Sequence, residues 1–557
     1  MRKLLASFLA TLLPAAACAQ APAQPPAPLA AGAPKLLVVI SVDQFSANLW
    51  DEYRPHFTAG LARLGTGAAF RNGYQSHAAT ETCPGHSTIL TGDHPSRTGI
   101  IGNIWIDQSV KRSDVSIYCA EDENVPGSSS ASYTVSPGHL LVPTLGELLK
   151  LARPGSRNVA VAGKDRAAVM MTGHEVDQRW YWNGKQFVTD HKGAPVPQTI
   201  LKANDAIGRA LNEYRQPMTS TPYCLTKARA IKIENSEKTV GGGLFARNAQ
   251  DAAAFRASPE LDGDTLAIAA GLVDEMKLGR GADPDVLAIS LSATDYVGHT
   301  YGTEGEEMCL QLLELDREVG DFLKFLDSRG VDYAVALTAD HGGKDVPERE
   351  RLVGVPGAKR VDPALAAGTM GLKLVKQLGL NGFGLLGEGT SGDMYIDRGL
   401  APRDRERLLA AAVAAYRAHP QVEAVFTAKQ LSATPVATTP PTQWNLIQRA
   451  RASFYPGRSG DFVVLLKKDV TPIFDTSYYV ATHGSVWDYD RRVPVLFWRP
   501  GMLPAPSEAA VETTDIMPTL AAWIGLHIAP GSIDGHCLAG VVACPARQAG
   551  GTERGKR

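Results

Sequence analysis

The chain has 557 residues, of which 44% are hydrophobic and 20% charged, so it can bury a large core and is not a disordered protein. Its 56 basic and 58 acidic side chains give a formal net charge of -2, which excludes nucleic-acid or anionic-membrane binding driven by bulk charge. The 54 glycines and 36 prolines predict many turns, as in a loop-rich α/β protein.

The N-terminus has the pattern of a secretory signal peptide. A basic start precedes an apolar stretch over residues 4–13, and small residues around Cys18 suit cleavage. One alternative is a buried N-terminal helix, and another is lipidation of Cys18. Lipidation is disfavoured because Ala15 occupies a position where lipoproteins usually have an aliphatic residue. We expect residues 1–19 to be removed and residues 20–34, rich in Ala and Pro, to form a tether. The mature protein is then periplasmic or secreted, and no other apolar run is long enough to predict a membrane span.

Six cysteines remain beyond the signal peptide, and an even number in an exported protein allows disulfides in 15 connectivities. Cys537 and Cys544 are close enough to pair across a short loop. Cys83 lies in the turn interpreted below as the active site, where we expect a crosslink to be awkward.

Several apolar, β-branched runs end in a polar residue followed by a turn or helix. Such runs suit strands buried on both faces, so they predict an α/β fold with a mainly parallel central sheet flanked by helices. Ligand-binding loops in such sheets lie beyond the carboxyl ends of the strands. The runs cover residues 35–42, 158–162, 285–291 and 331–338, with shorter strands at 394–396, 462–467 and 493–498.

A long amphipathic helix is predicted over residues 306–327. Residues 178–238 and 347–476 interrupt the strand–helix rhythm with Gly, Pro, Tyr and Trp, and we interpret them as insertions that form a cap over the strand ends. The sequence thus predicts one catalytic domain over residues 35–545 with these two cap insertions, followed by a polar tail over residues 546–557.

Carboxylates and imidazoles follow several of the predicted strands. The i,i+4 spacing of Asp295 and His299 places both side chains on one face of a helical turn, and the turn after a strand can splay Asp340 and His341 towards neighbouring sites. Mixed imidazole and carboxylate ligands suit zinc better than magnesium or calcium. Each piece alone is more often a solvated pair or a turn, but the joint pattern predicts two zinc ions bound by Asp43, Asp295, His299, Asp340, His341 and His483. The other histidines, including His86, are assigned no metal role.

Thr82 stands at the predicted start of a helix, directly before Cys83-Pro84-Gly85. Free backbone N–H groups at a helix start favour an anion, and a threonine hydroxyl bound to zinc can act as a nucleophile. Without the metals, the better interpretation would be that Thr82 only caps the helix.

Three further residues are candidates to bind a phosphoryl group. Asn103 can donate its side-chain amide, although a turn asparagine after Gly102 is the plainer interpretation. Lys164 and Arg166 follow a strand, and on an extended chain their spacing of two points both cations the same way. Two cations aimed together suit a phosphate dianion, whereas a pair of solvated surface cations is the ordinary alternative.

The turn centred on Thr82, the segment Gly163-Lys164-Asp165-Arg166 and the segment Asp340-His341-Gly342 resemble the alkaline phosphatase superfamily. The resemblance is to the branch related to nucleotide pyrophosphatase/phosphodiesterases, especially to its threonine-nucleophile bacterial phosphatases, and it covers nearly the whole mature chain. It implies an alkaline phosphatase-like fold, with one zinc bound by Asp43, Thr82, Asp340 and His341 and the other by Asp295, His299 and His483. It also implies that Asn103, Lys164 and Arg166 bind the transferred phosphoryl group.

The resemblance implies hydrolysis of small phosphate monoesters through a covalent phosphothreonine, by a protein that we expect to be a monomer. Typical diesterases of this branch lack the Lys164–Arg166 pair, so its presence favours monoesters. A sulfatase is rejected because Cys83 is followed directly by Pro84 and no Arg completes the sulfatase pattern, and nothing clearly supplies a third, magnesium site. Two alternatives stay open: a phosphodiesterase with the same two-zinc site, and an exported phosphate- or zinc-binding protein without catalysis.

Overall fold

The computed structural model describes residues 29–193 and 195–545, so the predicted signal peptide, most of the tether, and the polar tail lie outside the described residues. The strands are β1 (Leu36–Val42), β2 (Ala68–Tyr74), β3 (Ile104–Ile106), β4 (Ser116–Tyr118), β5 (Asn158–Ala162), β6 (Gln178–Trp182), β7 (Phe187–Val188), β8 (Ile231–Lys232), β9 (Thr239–Val240), β10 (Asp285–Leu291), β11 (Tyr333–Thr338), β12 (Lys359–Arg360), β13 (Leu385–Leu386), β14 (Gly392–Ile396), β15 (Val422–Thr427), β16 (Phe462–Leu466), β17 (Val470–Thr471), β18 (Arg492–Trp498) and β19 (Ala505–Glu512).

The helices are α1 (Ala47–Tyr53), α2 (Gly60–Leu64), α3 (Thr82–Thr91), α4 (Pro95–Thr98), α5 (Leu145–Ala152), α6 (Asp165–Thr172), α7 (Gln198–Leu211), α8 (Pro222–Leu225), α9 (Ala252–Arg256), α10 (Glu260–Glu275), α11 (Ala293–Tyr301), α12 (Glu306–Ser328), α13 (Pro347–Leu352), α14 (Ala367–Leu378), α15 (Pro402–Arg417), α16 (Ala428–Ala433), α17 (Leu446–Ser453), α18 (Asp488–Arg491) and α19 (Ile516–Ile524). None of the helices in the described part of the chain is both long and apolar enough to cross a membrane.

Within residues 29–193 and 195–545, nine strands form the central sheet, in the order β19-β2-β18-β11-β1-β10-β5-β6-β7. The five strands from β11 to β6 in this order run parallel, while β18 is antiparallel to both of its neighbours and β7 is antiparallel to β6. The predicted mainly parallel sheet flanked by helices is therefore confirmed.

Strand β1 shows why this sheet is covered on both faces. Its seven residues are all buried, and the apolar ones alternate between two hydrophobic clusters. Leu36, Val38 and Ile40 join the cluster that includes residues of α1, α10 and α12, whereas Leu37 and Val39 join the cluster that includes residues of α3, α6 and α19. A continuous apolar run is the pattern that such a doubly buried strand requires.

A second, smaller sheet has the order β13-β14-β16-β15 and packs with α14 and α15. Helix α17 packs against β16 of this sheet. It also holds the segment that leads into α3, because the Ser453 hydroxyl at the end of α17 accepts hydrogen bonds from the backbone N–H groups of Ala78 and Ala79, both at 3.0 Å. The division into one catalytic domain with two cap insertions stays a prediction.

Candidate active site

The candidate residues lie where strands of the parallel core end. Asp43 directly follows β1, Lys164 follows β5 after one glycine, and Asp340 comes two residues after β11. Asp295 lies in the first turn of α11, which begins shortly after β10. All four side chains are almost completely buried, so the carboxyl edge of the sheet forms a charged, enclosed site, as expected for an open α/β sheet.

The first cluster of possible metal ligands contains Asp43, His86 and Asp340, whose ligand atoms lie within 4.8 Å of one another. His86 Nε2 is 3.3 Å from Asp43 Oδ1, and His86 Nδ1 is 3.4 Å from Asp340 Oδ2. His341 belongs beside this cluster, because its Nε2 is 3.2 Å from Asp340 Oδ2. The Asp340 carboxylate also accepts from the His341 backbone N–H at 2.9 Å, while the His341 ring stacks on the ring of His483 with a centroid distance of 3.6 Å. Asp340 thus lies in this cluster and His341 lies between it and His483.

The second cluster contains Asp295, His299 and His483. Asp295 Oδ1 lies 3.4 Å from Nε2 of each histidine. The remaining ring nitrogen of each histidine faces a backbone carbonyl at 2.8 Å, that of Ala481 for His299 and that of Thr80 for His483. These carbonyls accept a hydrogen bond from Nδ1–H, so the proton stays on Nδ1 and the lone pair of Nε2 is free. A histidine that binds a metal through Nε2 needs this tautomer.

Both clusters fit a divalent cation. In the first cluster and in His341 beside it, four buried atoms have no hydrogen-bond partner in the described structure: Asp43 Oδ2, Asp340 Oδ2, His86 Nε2 and His341 Nε2. In the second cluster, both histidines turn Nε2 towards Asp295. Three buried carboxylates in one site are costly unless cations neutralise them. The chain therefore contains candidate metal-binding groups with a nitrogen and oxygen donor set.

The charges of the clusters act on one another. Burial alone would raise the pKa of the Asp43 carboxyl, but Lys164 and His86 hold that pKa below its ordinary value. Burial also lowers the pKa of His341, yet Asp340 raises it to about 9. In contrast, burial and the neighbouring His341 lower the pKa of His483 to about 4, so His483 is neutral near pH 7.

Thr82 is the first residue of α3 and lies next to the first cluster. The N-cap position belongs to Glu81, and Thr82 makes no capping hydrogen bond, so the interpretation of Thr82 as a mere helix cap is wrong. Arg166 Nη2 donates to the Thr82 hydroxyl at 3.4 Å. Gly85 allows α3 to pack directly on the turn after β11, because a Cβ at this position would lie 2.0 Å from the carbonyl oxygen of Asp340.

Lys164 lies between the two clusters. Its ammonium donates to Asp295 Oδ2 at 2.6 Å and is 3.1 Å from Asp43 Oδ2. Arg166 reaches the same site, but not from an extended chain as predicted, because α6 begins at Asp165 and only Lys164 is extended. The first turn of a helix, rather than alternation along a strand, brings the two cations together.

Asn103 is fixed by two polar contacts. Its side-chain Oδ1 accepts from the Cys83 backbone N–H at 2.8 Å, and its backbone N–H donates to Glu81 Oε2 at 2.6 Å. Because the side-chain oxygen is occupied, the amide nitrogen is the atom that remains to donate to a ligand.

Cys83 forms a disulfide with Cys119, which contradicts the expectation that a crosslink in this turn would be awkward. The bond fits because Asn103 lies between the two segments: its carbonyl accepts from the Cys119 N–H at 2.9 Å, and its side chain binds Cys83. Cys224 pairs with Cys309, and Cys537 pairs with Cys544 as the sequence allowed.

His86 is the residue of the site that sequence reasoning missed. Besides its two carboxylate contacts, its Nδ1 is 2.9 Å from the Thr82 carbonyl, one helical turn earlier. The i,i+4 spacing of Thr82 and His86 on one helix was the available signal, since it places both side chains on the same face.

Comparison with known proteins identifies the family. The family model for type I phosphodiesterase / nucleotide pyrophosphatase matches residues 37–485. The chain is 51% identical over 514 residues to alkaline phosphatase PhoK of Sphingomonas sp., covering 92% of each chain. It is 49% identical to alkaline phosphatase PhoD of Zymomonas mobilis, covering 90% of this chain and 88% of that protein.

The fold has a solved counterpart. The crystal structure of alkaline phosphatase PafA superposes with a TM-score of 0.80 at 24% identity, over 92% of this chain and 99% of that one. The chain belongs to the type I phosphodiesterase / nucleotide pyrophosphatase family of the alkaline phosphatase superfamily, whose members depend on metals.

Proposed function

We propose that the chain is an exported, zinc-dependent alkaline phosphatase that hydrolyses phosphate monoesters through a covalent phosphothreonine at Thr82. The observation that carries the proposal is the position of the Thr82 hydroxyl, within reach of Arg166 and beside two clusters that suit a metal. Similarity to the alkaline phosphatases PhoK and PhoD supports the same reaction class. We further propose that it acts as a monomer on small phosphate esters in the periplasm or outside the cell.

Two zinc ions are part of the proposal. Asp43, Thr82, Asp340 and His341 would hold one, and Asp295, His299 and His483 the other. Zinc at these positions would lower the pKa of the Thr82 hydroxyl and neutralise charge on the phosphoryl and leaving oxygens.

The protein's own residues supply orientation and further charge. Arg166 orients Thr82 and binds phosphoryl oxygens, Asn103 donates its amide to another of them, and Lys164 adds a buried positive charge. The Thr82 hydroxyl gives up its proton to solvent, a bond forms between Thr82 Oγ and phosphorus while the ester P–O bond breaks, and the departing alkoxide takes a proton from solvent to become the alcohol. Water then attacks phosphorus from the vacated side, which releases inorganic phosphate and restores Thr82.

The second candidate is phosphodiester hydrolysis at the same site, which the match to the phosphodiesterase family model favours. A diester carries one negative charge fewer than a monoester, so Lys164 and Arg166 matter less for it. We propose diester cleavage as a side activity only.

Trapping the covalent intermediate tests the role of Thr82. The zinc-loaded protein is mixed with p-nitrophenyl phosphate, quenched in acid and digested, and phosphate is expected on the peptide that contains Thr82. Thr82→Ser should retain turnover and carry phosphoserine, whereas Thr82→Ala should lose about a thousandfold or more in kcat. Thr66→Ala, which changes a threonine that only bonds the Arg63 carbonyl, is the control. Turnover by Thr82→Ala at the rate of the unmodified protein would refute the assignment.

A further inference from the structure

Tyr296 directly follows Asp295 in α11, and its ring contacts two cations. Lys164 Nζ lies 5.0 Å from the ring centroid, and the Arg256 guanidinium carbon lies 4.7 Å from the same centroid. Lys164 is part of the proposed phosphoryl site, whereas the mechanism above gives Arg256 no task. The shared ring brings Arg256 near the proposed phosphoryl site.

Arg256, the last residue of α9, has no carboxylate partner within ion-pair distance in the part of the chain that the structure describes. Its guanidinium donates to the Tyr478 hydroxyl and lies 5.8 Å from the Tyr478 ring centroid. A guanidinium has five N–H donors in a planar fork that matches carboxylate or phosphate oxygens. Aromatic groups therefore hold Arg256 in place, and its remaining N–H donors can bind an anion.

The tyrosines continue from Arg256 to the second metal cluster. The rings of Tyr478 and Tyr479 have centroids 4.5 Å apart, and Tyr479 stacks on His299 with a centroid distance of 4.5 Å and an interplanar angle of 22°. Tyr478 is 61% exposed, so this row of tyrosines reaches the solvent. We call Arg256, Tyr296, Tyr478 and Tyr479 the aromatic rim.

The side of the site on which the rim lies indicates what it contacts. In an in-line displacement the leaving oxygen departs from the side of phosphorus opposite Thr82. Thr82 lies beside the other cluster, so we assign the leaving oxygen to the zinc that Asp295, His299 and His483 would hold. The rim contacts His299 and flanks Asp295. The alcohol portion of a bound monoester would then meet the rim.

We propose that the aromatic rim is a leaving-group subsite that selects phosphate monoesters whose alcohol carries a second anionic group, with a planar ring favoured. This inference rests on the proposed phosphatase function. Arg256 binds the second anion, and Tyr478 and Tyr479 offer ring faces to the group that bears it.

The test compares phenyl phosphate with 4-carboxyphenyl phosphate, which differ by one carboxylate on the leaving group. With the zinc-loaded full chain, Arg256→Gln is expected to lower the ratio of kcat/KM for 4-carboxyphenyl phosphate to that for phenyl phosphate about tenfold, the loss typical of one hydrogen bond to a charged group. Arg256→Lys should restore part of the ratio. Arg398→Gln, which alters an exposed arginine on the loop after β14, should leave both kcat/KM values unchanged.

A binding measurement separates the subsite from the chemistry. In zinc-loaded protein that carries Thr82→Ala, calorimetry should show tighter binding of 4-carboxyphenyl phosphate than of phenyl phosphate, and adding Arg256→Gln should remove that difference. An unchanged ratio and an unchanged affinity difference in Arg256→Gln would overturn the subsite while leaving the phosphatase assignment intact. Failure of the unmodified protein to hydrolyse either ester would instead overturn the proposed function.

Discussion

Lys164 is a buried ammonium held by two carboxylates that are also candidate metal ligands. Burial lowers its pKa, but Asp295 and Asp43 raise that pKa above the ordinary lysine value, so burial does not neutralise the ammonium. Its charge should matter most for a substrate with two negative charges. We expect Lys164→Ala to lower kcat/KM about a hundredfold for p-nitrophenyl phosphate. The loss should be about tenfold or less for bis-p-nitrophenyl phosphate, because that substrate carries one charge fewer.

The control for Lys164 is Lys373→Ala, which removes an exposed lysine of α14 and should leave kcat/KM for both substrates unchanged. Lys164→Gln is measured as well. Glutamine removes the charge but fills more of the space between the two carboxylates than alanine does. Equal losses for monoester and diester would remove the argument that the Lys164–Arg166 pair selects monoesters.

His86 contacts carboxylates of two candidate metal ligands and is itself completely buried. Residues that position metal ligands typically change affinity 10- to 100-fold when they are replaced. We expect His86→Gln to weaken zinc binding about tenfold in competition with a chromogenic chelator, and turnover to recover when zinc is raised. His56→Gln, at an exposed ring that stacks on Tyr223, is the control. Unchanged zinc affinity in His86→Gln would show that His86 only fills space.

At the scale of elements, the Cys83–Cys119 disulfide joins the start of α3 to the end of β4 around Asn103. It closes 36 residues of chain, for which loop entropy alone predicts about 4 kcal/mol of stability. We expect the double change Cys83→Ala and Cys119→Ala to lower the free energy of unfolding by about that amount. It should also raise KM for p-nitrophenyl phosphate, because Asn103 loses its fixed position.

The matched control for that disulfide is the Cys537–Cys544 pair, which closes only seven residues far along the chain from Thr82. Replacing both of its cysteines with alanine should cost less stability and leave KM unchanged. If removal of Cys83–Cys119 lowers stability but leaves KM unchanged, the disulfide does not position Asn103.

The central strands and the long helix were predictable because their hydrophobic patterns fit only one type of secondary structure. The strands at residues 158–162 and 285–291 are apolar runs bounded by polar residues, and their observed bounds agree with the predicted ones. The helix predicted over 306–327 extends one residue further, to Ser328. By contrast, Val511 is the one buried residue of β19, which also carries Pro506, so its sequence lacks the apolar run by which a buried strand is recognised.

The parts of the site that sequence could not predict depend on contacts between distant segments. The pairing of Cys83 with Cys119 is one of 15 possible connectivities. The contact of His86 with Asp340 joins residues that are far apart in sequence, and it exists only because α3 packs directly on the turn after β11. The rim tyrosines carry no motif, and only the fold brings Tyr478 to Arg256.

At the scale of the whole molecule, a buried ion-pair cluster joins the N-terminal end of α4 to the C-terminal region. His94 Nε2 is 2.8 Å from Glu512 Oε2, and His94 Nδ1 is 3.0 Å from Asp534 Oδ2. Burial lowers the pKa of His94, but Glu512 and Asp534 raise it to about 10. The same contacts lower the pKa of Asp534 to about 2 against the effect of burial.

This cluster predicts a pH-dependent stability. The folded pKa of His94 exceeds that of an unfolded histidine, about 6.5, so its contribution is complete below that value and is lost as pH rises through about 10. We expect His94→Gln to lower the free energy of unfolding by about 3 kcal/mol at pH 7 and by much less at pH 10.5, measured by urea unfolding. An equal loss at both pH values would show that the charge of His94 does not stabilise the fold.

The central claim is that this chain hydrolyses phosphate monoesters with zinc. The most direct measurement compares turnover of p-nitrophenyl phosphate and bis-p-nitrophenyl phosphate at alkaline pH, before chelation, after chelation and after zinc is restored. We expect monoester turnover to exceed diester turnover, to disappear with the chelator and to return with zinc. A strong preference for the diester would contradict the monoesterase assignment, and no turnover of either substrate after zinc is restored would contradict catalysis itself.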